Sequence, residues 1–521
     1  MLPLLLAMAI TAPERTHTEA DAVGWAFEAL LKYEQEDWPN IRFVYVPAWG
    51  DAEWIGAVNV AVNLSASHSR TLHPADVHAG GYLLAFNLSR LAPHPKQLKA
   101  LRATWDSLAV DDPYFHVPAI NQQKGGAVAI LAPHLRQAVA VRAEQVDQSE
   151  RLDVLLATMT GSPGVVYRAD FLIEQLLTSL RGRYLDFRQI DLTKPAKGST
   201  QFRREAAKYG FFPKESRRQQ GEKGALMLIS DVTGKSRVVQ TIFGTASQQP
   251  LASTFDFADE TTRPDEQFIR NVVSFDAFHD AGEHFVPMRN GLIEFILTDG
   301  EGNIQKAAPP EVVADHTKPN GHTKQLEAGM SCVVCHMTSG TGMYQTARND
   351  MEFLLGADVD FFGDDFTLTD GDGKAVVLSR AEAVDLVAGR FGQRIDEPDG
   401  ILGRARRDFA RAIAVLTDYP ITAEGPDAVY RAGLKIQQIY HGYRYAPVTA
   451  QQACRELGYK VERQRALATF RRLAPAPAAG NEEDIVIAMV RAGAIIKRDD
   501  WEAIYAECAQ RAAAVHAAKG K

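Results

Sequence analysis

Val23, Phe27, Leu30 and Leu31 stand at i, i+4, i+7 and i+8, a spacing that puts four apolar side chains on one face of a helix. Residues 41–46 form a β-favouring run stopped by Pro47, and residues 82–88 predict a second strand. Helical spacing returns near 96–108, 135–156 and 170–180. Residues 19–190 therefore read as an α/β region, and no glycine loop of the phosphate-cradling kind is found in it. The period then changes, and strands dominate from about 225 to 308. Residues 226–230 and 237–243 flank a turn at 231–235. Residues 292–297 and 304–306 flank Asp299-Gly300-Glu301-Gly302-Asn303, a hairpin turn by composition. Asp370-Gly371-Asp372-Gly373 has the same character. It resembles the start of a calcium loop, but Lys374 sits where a ligand is needed, so a plain turn is the better reading.

The last part of the chain is helical. Ser379 with Glu382, and Thr449 with Gln452, match the capping-box spacing that starts helices, and residues 473–480, rich in Ala and Pro, read as a linker. The most apolar stretch, 485–496, is too short to span a bilayer and carries Arg491, which predicts a buried helix and no transmembrane segment. The fold class that follows is α+β and multi-domain. It divides into an N-terminal segment 1–18, an α/β region 19–190, a β-rich region 191–310, a region 311–445 and a helical C-terminal region 446–521.

Composition narrows the function. The chain has 521 residues, 57 Lys+Arg against 65 Asp+Glu, and a net charge of −8. A nucleic-acid binder is normally basic, so no nucleic-acid partner is expected. Four cysteines are too few for a disulfide scaffold, and their placement carries the information. Cys332-Val333-Val334-Cys335-His336 is C-x-x-C-H, the attachment signature of c-type haem. One helical turn can place two thiols and an imidazole around one edge and one face of a porphyrin. Each thiol adds across a vinyl group, and the histidine supplies an axial ligand. This assigns Cys332 and Cys335 to the thioethers, His336 to the iron, and one haem c to the chain.

Three other readings compete. A thioredoxin-like pair wants a strand before the motif, and residues 326–330 are not strand-like. A zinc site wants a second ligand pair, and Cys454 and Cys508 lie 54 residues apart with no such spacing. A pair of buried thiols without function is the third.

Covalent haem is attached outside the cytoplasm, which bears on the N-terminus. No charge precedes Glu14, and Ala7-Met8-Ala9 fits the small-x-small cleavage pattern of a signal peptide, although no Lys or Arg forms an n-region. A periplasmic or otherwise exported protein is expected. Region 311–445 becomes the haem attachment region, and 191–310 is expected to pack on the haem.

The order of Phe278-His279-Asp280-Ala281-Gly282-Glu283, Arg289-Asn290-Gly291-Leu292 and Gly329 to His336 resembles a family of large bacterial single-haem c-type cytochromes. Residues 447–458 resemble that family's C-terminal helical motif, and the similarity runs loosely from about 40 to 515. The resemblance implies an exported haem protein and carries no assigned reaction.

The sixth iron ligand separates electron transfer from catalysis. Small cytochromes place a methionine roughly 60 residues after the motif, but here Met351 is followed only by Met489. Met337 and Met343 follow His336 too closely, and Met351 reaches the far haem face only if its loop wraps the edge. His279, His284, His316 and His322 precede the motif. His279 is favoured because the resembling family keeps a histidine there, and Asp280 or Glu283 would orient its ring. A hydrogen-bonded histidine at a strand end is the competing reading.

Three further features stay open or bland. Arg203, Arg204, Lys208, Lys214, Arg217, Arg218 and Lys223 would suit haem propionates, but a solvated helix face explains them as well. His68, His73 and His78 with Asp76 fit no ligand spacing and read as a surface loop. Cys454 and Cys508 fit either a disulfide contributing about 3–4 kcal/mol or two buried thiols. The leading function is single-electron transfer to a redox partner protein not identified by the sequence. A peroxidase-type haem enzyme and a haem-based sensor or structural module are the alternatives.

Overall fold

The structure, a computed structural model, describes residues 19–47, 51–111, 152–194, 199–211, 223–227, 237–243, 250–256, 280–310, 312, 314, 318, 324–338, 365–369, 375–379, 401–419, 427–457, 459, 461–474 and 495–519. His279, His316, His322 and Met351 lie outside the described residues, as do the turns 231–235 and 370–373 and most of the helix expected at 135–156.

The first sheet is built from β1 (Ile41–Tyr45), β2 (Asp76–His78), β3 (Leu83–Asn87) and β4 (Val166–Arg168) in the order β2-β3-β1-β4. β1 runs antiparallel to β3 and parallel to β4, and all five of its residues are buried, as expected for a strand covered on both faces. The expected strand at 82–88 is β3, and the helix containing Val23 and Phe27 is Glu19–Leu30.

The helix Ala52–Ala66 packs behind this sheet. Asp51 caps it by accepting the backbone N–H of Glu53 at 2.9 Å, and every residue from Gly56 to Ala66 is buried. Its buried amides find partners. Asn59 donates to the Leu416 carbonyl, and Asn63 donates to the His73 carbonyl and accepts from the His73 N–H.

The second sheet is an antiparallel meander of β5 (Lys223–Met227), β6 (Arg237–Phe243), β7 (Pro250–Asp256), β8 (Ala281–Pro287), β9 (Ile293–Asp299) and β10 (Ile304–Gln305), paired in reverse sequence order. The β9–β10 turn closes on Asp299, whose carboxylate accepts the N–H groups of Glu301 and Asn303. Alternation gives the sheet two buried faces. On one, Phe285, Ile293, Phe295 and Leu297 join a core that also includes side chains from the helices Ala52–Ala66, Ala169–Leu177, Met330–Thr338, Ile401–Thr417 and Asp427–Arg444. On the other, Leu251, Val286 and Ile296 pack with Phe202, Ala206 and Phe211. The main core thus draws on the expected α/β, β-rich and haem-bearing regions alike.

A buried charge cluster seals the second face. Arg188 donates to Glu294 at 2.8 Å and to the Ser67 carbonyl at 2.8 Å, tying the sheet to the end of the Ala52–Ala66 helix. Glu205 sits in the same cluster, paired through one oxygen with Lys208 at 2.6 Å. Burial, with the Glu294 charge adding to it, lifts the Glu205 carboxyl to about 7, against the opposing pull of Lys208. A carboxyl raised on folding keeps its proton after the unfolded chain has lost one, so this group makes stability fall as pH rises from about 4.5 to about 7. Glu205→Gln removes that contribution. Its thermal midpoint is expected to drop less between pH 5 and pH 8 than the wild type's, and parallel profiles would show that Glu205 does not titrate on unfolding.

A smaller core unites the C-terminal segments. β13 (Val448–Thr449) pairs with β14 (Ile495–Ile496), while the helices Ala450–Glu456, Arg463–Leu473 and Arg498–Lys519 surround Trp501 and Phe470. Thr449 caps the first of these as expected, accepting the Gln452 N–H at 3.1 Å. The reading of 485–496 as one helix needs correction at its end: Ile495 and Ile496 are extended, because pairing with Val448 and Thr449 satisfies their backbone. Residues 365–369 and 375–379 form the hairpin β11–β12 around the turn expected at 370–373. Cys454 and Cys508 share this C-terminal core as thiols, both fully buried, and burial pushes each up to about 12. The Cys454 thiol donates to the Ala466 carbonyl at 3.4 Å.

Candidate functional site

The C-x-x-C-H motif lies within the helix Met330–Thr338. Gly329 starts it at φ +90°, a region that disfavours side chains, and a Cβ there would meet the Leu177 carbonyl oxygen at 2.2 Å. Only glycine lets the chain turn this close to the neighbouring helix. Just before it, the Glu327 carboxylate accepts the N–H groups of Ser179 and Leu180 and pairs with Lys318 at 3.3 Å, while Ser331 Oγ accepts the Glu327 N–H. These contacts fix where the helix begins.

The motif helix buries Met330, Val333, Val334 and Met337. It packs so closely on the helix Asp427–Arg444 that a Cβ on Gly433 would come within 2.4 Å of Met337 Cβ. The i, i+3 and i+4 spacing carries Cys332, Cys335 and His336 together on the remaining face, toward β8. Cys332 is 1% exposed; Cys335 and His336 are partly exposed, and both cysteines are thiols rather than a disulfide.

His336 stands against the sheet. Its ring meets Phe285 edge-on at 4.5 Å between centroids and lies near-parallel to Phe295 at 6.5 Å. Its Nε2 is 3.5 Å from Glu283 Oε1, whereas Nδ1 is buried with no partner among the described residues. The same Glu283 carboxylate accepts the Cys332 thiol. Burial first, then this carboxylate, pushes that thiol well above its ordinary range, so Cys332 is protonated at neutral pH. Glu283 is held in turn by Thr254, whose hydroxyl accepts its backbone N–H.

Glu283 and Phe285 point toward the motif; His284 between them points away. Its two ring nitrogens meet Ser253 Oγ at 2.8 Å and Thr298 Oγ1 at 2.9 Å, and its ring stacks on Phe202 at 3.7 Å. His284 is thus removed from the candidates for the sixth ligand. It lies on the opposite sheet face from His336 with both nitrogens engaged.

Part of the basic run is also placed; Lys214, Arg217 and Arg218 lie outside the described residues. Arg203, Arg204 and Lys208 belong to the Gln201–Ala207 helix and its C-cap, which covers that opposite face. Arg204 donates to the Asp191 and Thr193 carbonyls, and Lys208 pairs with Glu205. They do not face the motif. The three N-terminal histidines do not converge either. His68 bonds the Phe187 carbonyl, His73 bonds Thr71 and Ser69, and His78, on β2 rather than in a loop, bonds Tyr33.

Among the described residues, no three His, Cys, Asp or Glu side chains are grouped to hold a metal ion. What the motif face offers instead is one imidazole with an unsatisfied buried nitrogen and two reduced thiols within one turn. Two thiols and an imidazole are the residue types that haem c, which brings its own four ring nitrogens, asks of a protein, and the His336 nitrogen that faces Glu283 is Nε2. Glu283, which the sequence offers as a partner for His279, stands beside His336, because strand alternation turns it toward the motif helix.

No family model matches the chain, and neither a curated protein nor a solved structure is significantly similar to it. Among the described residues, no helix is long and apolar enough to cross a membrane.

Proposed function

We propose that the chain is an exported mono-haem c-type cytochrome that passes single electrons between partner proteins. Cys332 and Cys335 would hold the porphyrin through thioethers, and His336 would supply a ligand to its iron. The observation that carries this reading is the shared face of the Met330–Thr338 helix, where two thiols and an imidazole stand together within one turn. When bound, the haem supplies the one-electron couple, and the protein sets its potential through ligand identity, burial and nearby charge.

The chain's own residues then have defined tasks. Phe285 and Phe295 keep the His336 ring from rotating and exclude water from its flank. Met337, locked under Gly433, anchors the helix so that both thiols stay in register. Little reorganisation on gaining or losing an electron is the requirement for fast transfer, and a motif packed into the main core meets it.

As sixth ligand we propose His279, which precedes β8 in the sequence, with His316, His322 and Met351 as the remaining candidates. Bis-histidine ligation lowers the potential relative to His/Met. The test is the ultraviolet–visible spectrum of wild type and His279→Ala. The wild type is expected to be low-spin and six-coordinate, and the variant is expected to turn high-spin and bind cyanide or carbon monoxide with its haem still attached. A low-spin variant would pass the role to another candidate, and a high-spin wild type would favour the peroxidase-type enzyme.

A further inference from the structure

We infer that Glu205, set against Glu294, is a proton-binding site that works as a catch. Protonated, it holds the segment 199–211 on the second sheet, and ionised, it lets that segment go. The inference is independent of the haem site, because both carboxylates lie on the sheet face opposite the motif helix.

The segment covers that face with its short helix Gln201–Ala207. Phe202, Ala206 and Phe211 pack on Leu251, Val286 and Ile296, while Gln201 bonds the Leu192 carbonyl and the Ile304 N–H. Glu205 and Glu294 lie under this cover, 2% and 0% exposed. Of their four carboxylate oxygens, donors reach two. Glu205 Oε2 takes Lys208, and Glu294 Oε1 takes Arg188. Glu205 Oε1 and Glu294 Oε2 are buried with no hydrogen-bond partner among the described residues. Arg188 spends its bonds on Glu294, the Ser67 carbonyl and the Tyr209 hydroxyl, and none goes to Glu205. Lys208 also donates to the Gln189 carbonyl and is 42% exposed, so water screens its charge.

An ionised carboxylate with a stranded buried oxygen is costly, and a proton on Glu205 removes that cost. The charged and titratable neighbours stay fixed around it. Against the pull of burial, Tyr209 and Glu294 hold the Arg188 guanidinium above its ordinary value. Burial pushes Tyr184 and Tyr209 up, and burial followed by the Arg188 charge pushes His68 down to about 3, so all three stay neutral. Asp191 pairs with Arg204 at the surface, and His284 on β8 stacks on Phe202 with Ser253 and Thr298 on its nitrogens. Glu205, lifted to about 7 by burial and the Glu294 charge, is the group that changes state below neutrality. Once ionised, its stranded oxygen needs water. The short, thinly anchored segment above it is what moves to admit water, which uncovers Phe202 and the apolar sheet face beneath.

The experiment is hydrogen–deuterium exchange of the full-length wild type and Glu205→Gln at pH 6 and pH 8, corrected for the intrinsic pH dependence of amide exchange. A carboxyl at about 7 when docked and at its ordinary 4.5 when released makes the released fraction rise about tenfold between these conditions. Amides 201–207 of the wild type are expected to lose about tenfold in protection while those of β8 keep theirs. Glu205→Gln, neutral at both pH values, is expected to lose none. Equal protection at pH 6 and pH 8 in the wild type would overturn the inference. So would a tenfold loss that persists in Glu205→Gln, which would hand the switch to His284. Should the variant fail to fold, the wild-type profile decides: protection of 201–207 has to fall between pH 5 and pH 7 and level off above, and a continuing fall overturns the catch.

Discussion

Replacing Cys332 and Cys335 together with alanine is expected to abolish the haem signal that the wild type keeps through denaturing electrophoresis, after co-expression with a cytochrome c maturation system and an export signal. The effect is all-or-none because each thioether is a covalent bond, and with both gone only side-chain bonds to the iron remain, which denaturant breaks. Each single variant should keep one thioether and stain. The two positions are not equivalent for the fold. Cys332 is buried in the main core beside Glu283, and truncating it costs about 1 kcal/mol or more, whereas Cys335 is partly exposed. A circular-dichroism spectrum of the double variant separates loss of haem from loss of structure. Undiminished stain in a folded double variant would show that the motif does not attach the cofactor.

The largest expected loss of stability lies elsewhere, at Glu456. Its carboxylate is 3% exposed and accepts from Arg498 at 3.0 and 3.1 Å and from the Trp501 indole at 2.6 Å, and it pairs with Arg168 at 3.0 Å. Burial alone would raise this carboxyl, but Arg168 and Arg498 outweigh it and hold it ionised, below the usual carboxylate range. Arg168 belongs to the first sheet and Arg498 to the C-terminal helix, so one carboxylate joins the C-terminal core to the rest. Arg444, bidentate to Glu174 and bonded to Asp499, makes a second bridge of the same kind. Glu456→Ala leaves the buried Arg498 guanidinium without its carboxylate and Arg168 with Asp170 alone, and is expected to cost about 3–5 kcal/mol. Denaturant unfolding measures it; a loss under about 1 kcal/mol would mean that the cluster opens to water in solution.

Elements with strong local signals were legible from sequence. The strand 41–45 is apolar except for Arg42 and is followed by Pro47, and the β9–β10 turn announces itself through Asp299 and its glycines. The capping of 450–456 follows from Thr449 alone. What depended on register was not legible. His279, His284 and Glu283 look equivalent in a sequence, and only the pairing of β8 with β7 and β9 sends His284 to Ser253 and Thr298 and Glu283 to His336. The two-residue strand β14 hides inside an apolar run, because its cause is a partner, Val448–Thr449, about 47 residues earlier. The basic run around residue 204 suggested an anion site by composition. Arg204 and Lys208 spend their charges on Asp191, Glu205 and backbone carbonyls on the other face of the sheet.

The most direct test of the central claim is the intact mass of the purified, denatured protein produced with the maturation system. A mass exceeding that of the polypeptide by one haem, with the added mass mapping to a peptide that contains both Cys332 and Cys335, is the expected result. A polypeptide of unmodified mass, with both thiols open to alkylation, would contradict it.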